Sequence, residues 1–335
     1  MFRHAVAALA AYTLALGVCA AASLRPAHDG SPRDPDILYI GRWDKSDPAV
    51  YHGYWSNVYL RARFTGTSVG IRLDGGTQLI ASIDGEPVRT INAGSGVVAL
   101  NAVPLKPGVH TLLVGSAGQN YEVSFQGLML DPGAKTLPAL PHPLIEFVGD
   151  SITVIDGPGN YSWLTGAALG CDHTQIAFSG VALTSGYGCS SKVGQDVQYF
   201  RLKNYNHMSD NPPVPWNFSY TPRMIVINLG QNDQCGGEPD ATMRSSYVSF
   251  VHHLRAKFPK AQIVALRPFG GPYETPIRQA VEALNVAGDR RVSYIDTTGW
   301  LDKGDYVDGI HPNPAGQVKI VQRLAPLLTP LLTGR

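Results

Sequence analysis

The sequence predicts an all-β domain followed by an α/β domain built on a parallel sheet. Residues 37–130 contain short segments in which polar and apolar residues alternate, separated by glycine-containing turns. Such segments are typical of a β-sandwich or barrel. From Leu144 onward, apolar runs alternate with segments of helical periodicity, which is typical of a parallel sheet covered by helices. A chain of 335 residues has room for both domains.

Residues 1–22 have the pattern of a secretory signal peptide. A weakly positive start precedes an uncharged apolar run from Ala5 to Val18, and the alanines at 20–22 offer cleavage sites. The run is shorter than the ~20 apolar residues that a membrane-spanning helix needs. We therefore expect a secreted protein, with a membrane anchor as the alternative.

Charge and motif content exclude several classes of protein. Charged residues make up 16% of the chain and the net charge is +1, without the basic stripe of a nucleic-acid-binding protein. No dinucleotide fingerprint is present. The adjacent His252 and His253 would point about 100° apart on a helix, which is unsuitable for sharing a metal. We expect neither cofactor nor metal, and a monomer whose partner is its substrate.

The all-β domain spans residues 37–130, and residues 131–143 form a linker whose four prolines predict a stiff, extended segment. The α/β domain spans residues 144–332. Within it, Arg223 to Leu229 is a nearly continuous apolar run, as a strand covered on both faces requires. An amphipathic helix from Pro314 to Leu328 closes the chain.

Several polar motifs of the α/β domain each follow a strand-like segment. The motif with Ser151 and the motif with Asp308 and His311 contain the residue types of a nucleophilic site. A serine on the turn after a buried strand is accessible at the edge of the sheet, so Ser151 is the candidate nucleophile. His311 is the candidate base that takes the serine proton. Asp308, three residues before the histidine, is close enough to bond Nδ1 and fix the tautomer.

Attack on an ester carbonyl creates an oxyanion that needs hydrogen-bond donors fixed in advance. The backbone N–H of Ser151 is one candidate donor. Gly180 follows a predicted strand from Thr174 to Phe178 and offers a second N–H. The side-chain amide of Asn232, in the motif Gly230-Gln231-Asn232-Asp233, offers a third.

These residues, in the order Ser, Gly, Asn, His, resemble the SGNH (GDSL-type) hydrolase superfamily over Leu144 to about Leu328. The all-β domain, with Gly66-Thr67-Ser68-Val69 and Ile83-Asp84-Gly85, makes the pair similar to carbohydrate esterase family two. That family joins a jelly-roll domain to an SGNH domain and removes acetyl groups from plant cell-wall sugars. The resemblance implies a jelly-roll sandwich, a three-layer α/β/α domain and an acetylxylan esterase-like activity. Because Asp308 is present, we expect a full triad, whereas some members use a backbone carbonyl.

Two other functions remain open at this point: a general lipase or acyl esterase on the same scaffold, and a non-catalytic carbohydrate-binding protein. Trp300 and Tyr273 are candidates for stacking on a sugar ring. A place in the core is the alternative for both.

Three cysteines follow the signal peptide. Cys189 and Cys235 lie in loops that leave the carboxyl edge of the sheet, whereas Cys171 precedes a strand. A disulfide needs Cα atoms within ~7 Å, so we predict Cys189–Cys235, with Cys171–Cys189 as the alternative. Asn160 and Asn217 begin N-glycosylation sequons, which fit export.

Overall fold

A computed structural model describes residues 28–333 of the chain. The predicted signal peptide, residues 1–22, lies outside the described residues. The N-terminal domain contains the following strands: β1 (Leu38–Ile40), β2 (Trp43–Asp47), β3 (Val50–Gly53), β4 (Tyr59–Gly66), β5 (Val69–Leu73), β6 (Thr77–Ile83), β7 (Arg89–Ala93), β8 (Gly96–Ala99), β9 (Gly108–Ser116), β10 (Val123–Leu130) and β11 (Thr136–Leu137).

These strands form two antiparallel sheets, as predicted. One sheet has the order β1-β4-β9-β6-β7, with β11 paired to β4, and the other has the order β2-β3-β10-β5-β8. The polar–apolar alternation along β4 places Leu60, Ala62 and Phe64 in the core, where the apolar side chains of β5 and β10, among them Ile71 and Phe125, are also buried. Alternation with period two therefore explains why the sandwich has one buried face per sheet.

The linker differs from its prediction in one respect. Its central residues Thr136 and Leu137 pair with Phe64 and Arg63 of β4 instead of forming a free spacer. The Thr136 hydroxyl also donates to Asp34 at 2.6 Å. This short strand extends one sheet of the sandwich, so only the ends of the proline-rich segment act as a connection.

The C-terminal domain is a parallel sheet with helices on both faces. Its strands are β12 (Leu144–Gly149), β13 (Asp172–Ala177), β14 (Met224–Asn228), β15 (Gln262–Leu266) and β16 (Val292–Ile295), in the spatial order β13-β12-β14-β15-β16. Its helices are α1 (Ser151–Val154), α2 (Tyr161–Ala168), α3 (Gln195–Gln198), α4 (Gln231–Cys235), α5 (Asp240–Lys257), α6 (Glu274–Val286) and α7 (Pro314–Thr333). Helix α7 continues past its predicted end at Leu328.

Successive residues of each central strand face opposite helical layers. On one face, Ile225 and Ile227 of β14 pack in the same cluster as residues of α5 and α6. On the other face, Met224 and Val226 share a cluster with residues of α7. All five residues of β14 are buried, which explains its nearly continuous apolar sequence. Among residues 28–333, no helix has both the length and the apolarity that a membrane crossing requires.

The two domains share a continuous interface. Arg42 of the sandwich is fully buried and donates from Nη1 to the carbonyls of Tyr199 and Arg201 at 2.6 and 2.7 Å. Its guanidinium also lies 3.9 Å from the ring centroid of Trp216. An ion pair also crosses the interface and joins Arg61 of β4 to Asp172 of β13 at 2.9 Å. These buried contacts fix the sandwich against the parallel sheet, so sandwich loops have defined positions beside the sheet edge.

Candidate active site

Three strands of the parallel sheet end at the same level and lead into the segments that carry Ser151, Gly180 and Asn232. Gly149 at the end of β12 pairs with Ala177 of β13 and with Asn228 of β14. The segments that follow these strands therefore leave the same carboxyl edge. Their residues meet in a cleft of about 340 Å³, where ligands of such sheets bind. The cleft is lined by Ser151, Ile155, Ser179, Gly180, Cys189, Gln231, Asn232, Cys235, Ile310 and His311.

Ser151, His311 and Asp308 form a continuous chain of hydrogen bonds. His311 Nε2 lies 2.8 Å from Ser151 Oγ, and His311 Nδ1 lies 2.7 Å from Asp308 Oδ2. With Nδ1 donating to the carboxylate, Nε2 is the acceptor for the serine hydroxyl. This tautomer is the one that a general base needs in order to take a proton from a serine.

Asp308 is held by its own loop. Its Oδ1 accepts backbone N–H groups of Ile310 at 3.0 Å and of His311 at 2.8 Å. These hydrogen bonds, together with the bond to the imidazole, hold the pKa of the Asp308 carboxyl well below its usual range. The carboxylate is therefore charged at neutral pH.

His311 lies on a loop that a short β-bridge holds in place. The loop does not follow β16 directly, since β16 ends at Ile295 and a 3-10 helix at Lys303–Asp305 lies between them. A bridge between Tyr306 and Pro312 closes the loop instead. The strand-like segment before Asp308 therefore corresponds to this bridge and not to a strand of the parallel sheet.

The three candidate donors also lie around the cleft. Ser151 begins α1 and Gly180 lies in the turn after β13, and neither backbone N–H donates to another group among residues 28–333. Gly180 has φ +77°, and a Cβ at this position would collide with the Ser190 side chain. The position therefore requires glycine. Asn232 lies on α4 and is 7% exposed.

Two buried aspartates, Asp150 and Asp233, hold the candidate donors in place through hydrogen bonds. Asp150 accepts the N–H of Ile152 at 3.0 Å and the side-chain amide of Asn232 at 3.1 Å. Burial raises the pKa of Asp150 to about 7. Asp233 accepts the backbone N–H groups of Leu183 and Thr184 at 2.8 and 3.1 Å. These bonds tie α4 to the loop that follows β13.

The predicted disulfide is confirmed. Cys189 and Cys235 are bonded, with their Cα atoms 5.5 Å apart. Among the described residues, Cys171 is buried and has no disulfide partner, so the alternative pairing of Cys171 with Cys189 is wrong. The bridge joins the loop after β13 to the end of α4 and forms part of the cleft wall.

The structure places both candidate stacking residues outside the cleft lining. Trp300 is 8% exposed and packs against Phe269 in an apolar cluster with α7 residues. Tyr273 donates its hydroxyl to the carbonyl of Glu238 at 2.5 Å and packs against the other core cluster. Trp300 is enclosed by this packing, which leaves no ring face free for a sugar, so its prediction is wrong. Tyr273 is only partly buried, and its role in binding sugar stays a prediction.

The two sequons have different outcomes. Asn160 is fully buried, and its side chain caps α2 by accepting the N–H of Trp163 at 2.9 Å. A glycan on this side chain is incompatible with the fold, so that prediction is wrong. Asn217 is exposed, and its glycosylation stays a prediction.

Sequence reasoning missed several residues around the site. Ile155 and Ile310 form apolar walls of the cleft. Ile310 could have been predicted from the sequence, because it is adjacent to the candidate base His311. Gln119 of the sandwich contacts Ser179, with 2.7 Å between Gln119 Nε2 and Ser179 Oγ. No local pattern in the sequence indicates that contact, because the two residues belong to different domains.

One group of possible metal ligands lies elsewhere. Within residues 28–333, His28, Asp34 and Asp36 of the N-terminal domain have ligand atoms within 4.8 Å of one another. Hydrogen bonds from Gly30 and Thr136 already engage one oxygen of Asp34, at 2.7 and 2.6 Å. The group is separate from the cleft and supplies nothing to its chemistry.

Comparison with known families identifies both domains. Residues 147–319 match the GDSL-like Lipase/Acylhydrolase family. The chain belongs to that family. Residues 39–140 match the N-terminal domain of carbohydrate esterase 2, which confirms the domain pair expected from the sequence. The family assignment covers β12 to α7 and includes Ser151, Gly180, Asn232 and His311.

Two curated relatives align with most of this chain. The chain is 30% identical over 323 residues to cellulase/esterase CelE of Acetivibrio thermocellus, covering 87% of this chain and 39% of CelE. It is 26% identical to an acetylxylan esterase / glucomannan deacetylase of Cellvibrio japonicus, covering 81% and 82% of the two chains. The chain therefore spans well under half of CelE but most of the Cellvibrio protein.

A solved structure is similar along nearly its whole length. A family two carbohydrate esterase from Clostridium thermocellum, in complex with cellohexaose, superposes with a TM-score of 0.76 at 26% identity. The match covers 89% of this chain and 99% of that one. The sandwich and the α/β domain thus both have counterparts in a family two carbohydrate esterase.

Proposed function

We propose that this chain is a serine esterase that removes O-acetyl groups from plant cell-wall carbohydrate. The observation that carries the proposal is the hydrogen-bonded chain Ser151–His311–Asp308, with 2.8 and 2.7 Å between the bonded atoms, in the cleft of a carbohydrate esterase 2 domain pair. The acetylated substrate is suggested by the Cellvibrio japonicus relative, which is named an acetylxylan esterase / glucomannan deacetylase.

The first half of the reaction transfers the acetyl group to the enzyme. His311 Nε2 takes the hydroxyl proton of Ser151 as Oγ attacks the carbonyl carbon of the acetyl ester. Asp308 keeps the imidazole oriented and stabilises its positive charge. The carbonyl oxygen becomes an oxyanion that accepts the N–H groups of Ser151 and Gly180 and the amide of Asn232. His311 then protonates the leaving sugar oxygen as its bond to carbon breaks.

The second half releases acetate. A water molecule gives a proton to His311 Nε2 while its oxygen attacks the acetyl-enzyme carbonyl. The same three donors stabilise the second oxyanion. His311 returns the proton to Ser151 Oγ as the acyl bond breaks, which restores the free enzyme. Each step uses side-chain and backbone groups of this chain together with the substrate and one water molecule.

The decisive experiment measures acetate release from acetylated xylan, glucomannan and a chromogenic acetyl ester. We expect turnover by the wild-type protein and loss of most of it in Ser151→Ala. The matched control is Ser245→Ala, because Ser245 is a serine on α5 whose hydroxyl bonds only the Thr242 carbonyl, at 2.9 Å. A Ser151→Ala variant with half the wild-type rate would contradict the proposal.

Adding a chromogenic ester of a long acyl chain and a polysaccharide-binding assay to this panel separates the competing functions. Preference for long acyl chains over acetyl would indicate a general lipase or acyl esterase. Binding of the polysaccharides without any acetate release would indicate a carbohydrate-binding protein. The intact Ser151–His311–Asp308 chain supports the enzyme, since binding alone requires no nucleophile.

We also propose that the protein is secreted. Residues 1–22 have the pattern of a signal peptide, and the Cys189–Cys235 disulfide suits an oxidising compartment. The measurement is the N-terminal sequence of protein recovered from culture medium. A chain that starts near residue 23 is the expected result, and retention of the full chain inside cells would contradict the proposal.

A further inference from the structure

We propose that Gln119, a residue of the sandwich domain, is a positioning residue for the oxyanion hole of the α/β domain. The inference rests on the esterase function proposed above. Gln119 lies in the loop between β9 and β10. Its Oε1 accepts the backbone N–H of Ser179 at 2.9 Å, and its Nε2 donates to Ser179 Oγ at 2.7 Å. One glutamine therefore holds both the backbone and the side chain of the residue before Gly180.

The turn that contains Gly180 explains why this contact matters. The N–H of Val181 donates to the carbonyl of Phe178 at 3.4 Å, and Gly180, the third residue of this turn, has φ +77°. A positive φ at the third residue defines a type II turn. Type I and type II turns differ in the direction of their central peptide, which here is the peptide between Ser179 and Gly180. The direction of the Gly180 N–H is therefore set by the conformation of Ser179.

Hydrogen bonds hold the turn on both sides, and none of them uses the Gly180 N–H. On the side of the sandwich, Gln119 fixes Ser179. On the other side, Ser191 donates its N–H to the Gly180 carbonyl at 3.3 Å. The Gly180 N–H itself has no hydrogen-bond partner within residues 28–333. A donor that is fixed in direction and unengaged is what stabilisation of an oxyanion requires.

The loop that carries Gln119 is itself anchored. Ala117 donates its N–H to the carbonyl of Gln78 in β6 at 3.0 Å, and the Ser116 hydroxyl donates to the Gly118 carbonyl at 2.9 Å. Asn204 of the α/β domain donates its side-chain amide to the Tyr54 carbonyl of the sandwich and, at 3.5 Å, to the Gln119 carbonyl, so the loop is bonded across the domain boundary. Functional groups supported by such fixed elements keep their geometry better than groups on free loops.

The test uses the full-length protein and the variant Gln119→Leu, which has similar size but makes neither bond. We expect kcat on a chromogenic acetyl ester to fall about 10- to 100-fold, the loss that follows a misplacement of about 1 Å in an active site. KM should change little, because the donor acts mainly on the transition state. Ser179→Ala removes one of the two bonds and should lose less activity than Gln119→Leu.

A fluorophosphonate inactivator adds a readout that a merely structural role would not change. Its final extent of labelling counts active sites, so kcat is expressed per folded site. Its rate of labelling should fall along with kcat, because the phosphonyl oxygen occupies the same hole as the oxyanion. A loss of active sites with unchanged kcat per site would overturn the proposal, since it would make Gln119 a stability residue.

The controls keep the outcome decisive. Gln322→Leu, the same substitution at an exposed position of α7, should leave kcat unchanged. If Gln119→Leu does not fold, Gln119→Asn, which is one methylene shorter, replaces it. A kcat per site equal to that of the wild type in both Gln119 variants would overturn the inference alone. Activity in Ser151→Ala would instead overturn the proposed esterase function, on which the inference about Gln119 rests.

Discussion

Asp150 Oδ2 accepts a hydrogen bond from the side-chain amide of Asn232 at 3.1 Å, and the two side chains are 1% and 7% exposed. Asp150 is fixed in turn by the N–H of Ile152, which donates to Oδ1 at 3.0 Å. A carboxylate that accepts one amide hydrogen determines which end of the amide faces it. The nitrogen of Asn232 therefore keeps its second hydrogen for the cleft, where the oxyanion of the proposed reaction would form.

Asn232→Ala should lower kcat by about 10²–10³ with little change in KM, because this donor acts mainly in the transition state. Steady-state kinetics on a chromogenic acetyl ester measures both constants. Asn92→Ala, an exposed asparagine of the sandwich strand β7, is the matched control and should behave as wild type. A rise in KM alone would make Asn232 a substrate-binding residue instead.

Ser151 and His311 should behave as one unit. Ser151→Ala and His311→Ala should each remove most of the activity, and the double variant should be little slower than either single variant. The reason is that the base has no proton to take once the serine hydroxyl is absent. The measurement compares the rate of acetate release of the double variant with that of each single variant, and circular dichroism confirms that all three proteins are folded. Losses that multiply in the double variant would show that the two side chains act independently.

The sequence predicted this site because its residues follow strands of one parallel sheet. Strands of a parallel sheet end at the same edge, so motifs after β12 and β14 had to meet. The disulfide was predictable on the same grounds, since Cys189 and Cys235 leave that edge. Whether Trp300 stacks on a sugar or packs in the core was left open, because its burial depends on how α7, the next α-helix along the chain, packs against it.

Other features depend on contacts that no local pattern encodes. The triplet at Asn160 is a sequon by composition, yet the same side chain caps α2, a role for which asparagine is equally suited. The contact of Gln119 with Ser179 joins two domains. Its position follows from the buried interface around Arg42, so only the assembled structure brings the glutamine to the cleft.

Glu238 and Asp233 lead to a prediction about stability and pH. Burial, together with the nearby Asp233 carboxylate, raises the pKa of Glu238, and burial also raises the pKa of Asp233. In the window above the ordinary glutamate pKa, the folded protein therefore binds protons that the unfolded chain has released. By linkage, the free energy of unfolding falls as pH rises through that window, and stability is fully present only below it.

Glu238→Gln removes this proton-binding group and should weaken that pH dependence. The difference in melting temperature, variant minus wild type, should become more positive between pH 5 and pH 8. Thermal unfolding at both pH values measures it. Glu282→Gln, at an exposed position of α6, is the control and should give the same difference at both. A Glu238→Gln difference that becomes more negative toward pH 8 would reverse the sign and contradict the assignment.

The last prediction concerns the Cys189–Cys235 disulfide. It joins the loop after β13 to the end of α4, and those two segments carry Gly180 and Asn232. Opening the bridge should let both donors drift and lower kcat by about tenfold or more. The sheet beneath should stay folded, because removing a disulfide costs about 2–5 kcal/mol and domains are commonly stable by about 5–15 kcal/mol.

A reductant titration followed by esterase activity and by circular dichroism tests this order of events. Activity should fall at reductant concentrations that leave the circular dichroism spectrum unchanged. The double variant Cys189→Ser/Cys235→Ser is the matched control: it should start at the reduced rate and show no further response to reductant. Simultaneous loss of activity and structure would mean that the bridge holds the whole domain together, and full activity after complete reduction would mean that it does not position the donors.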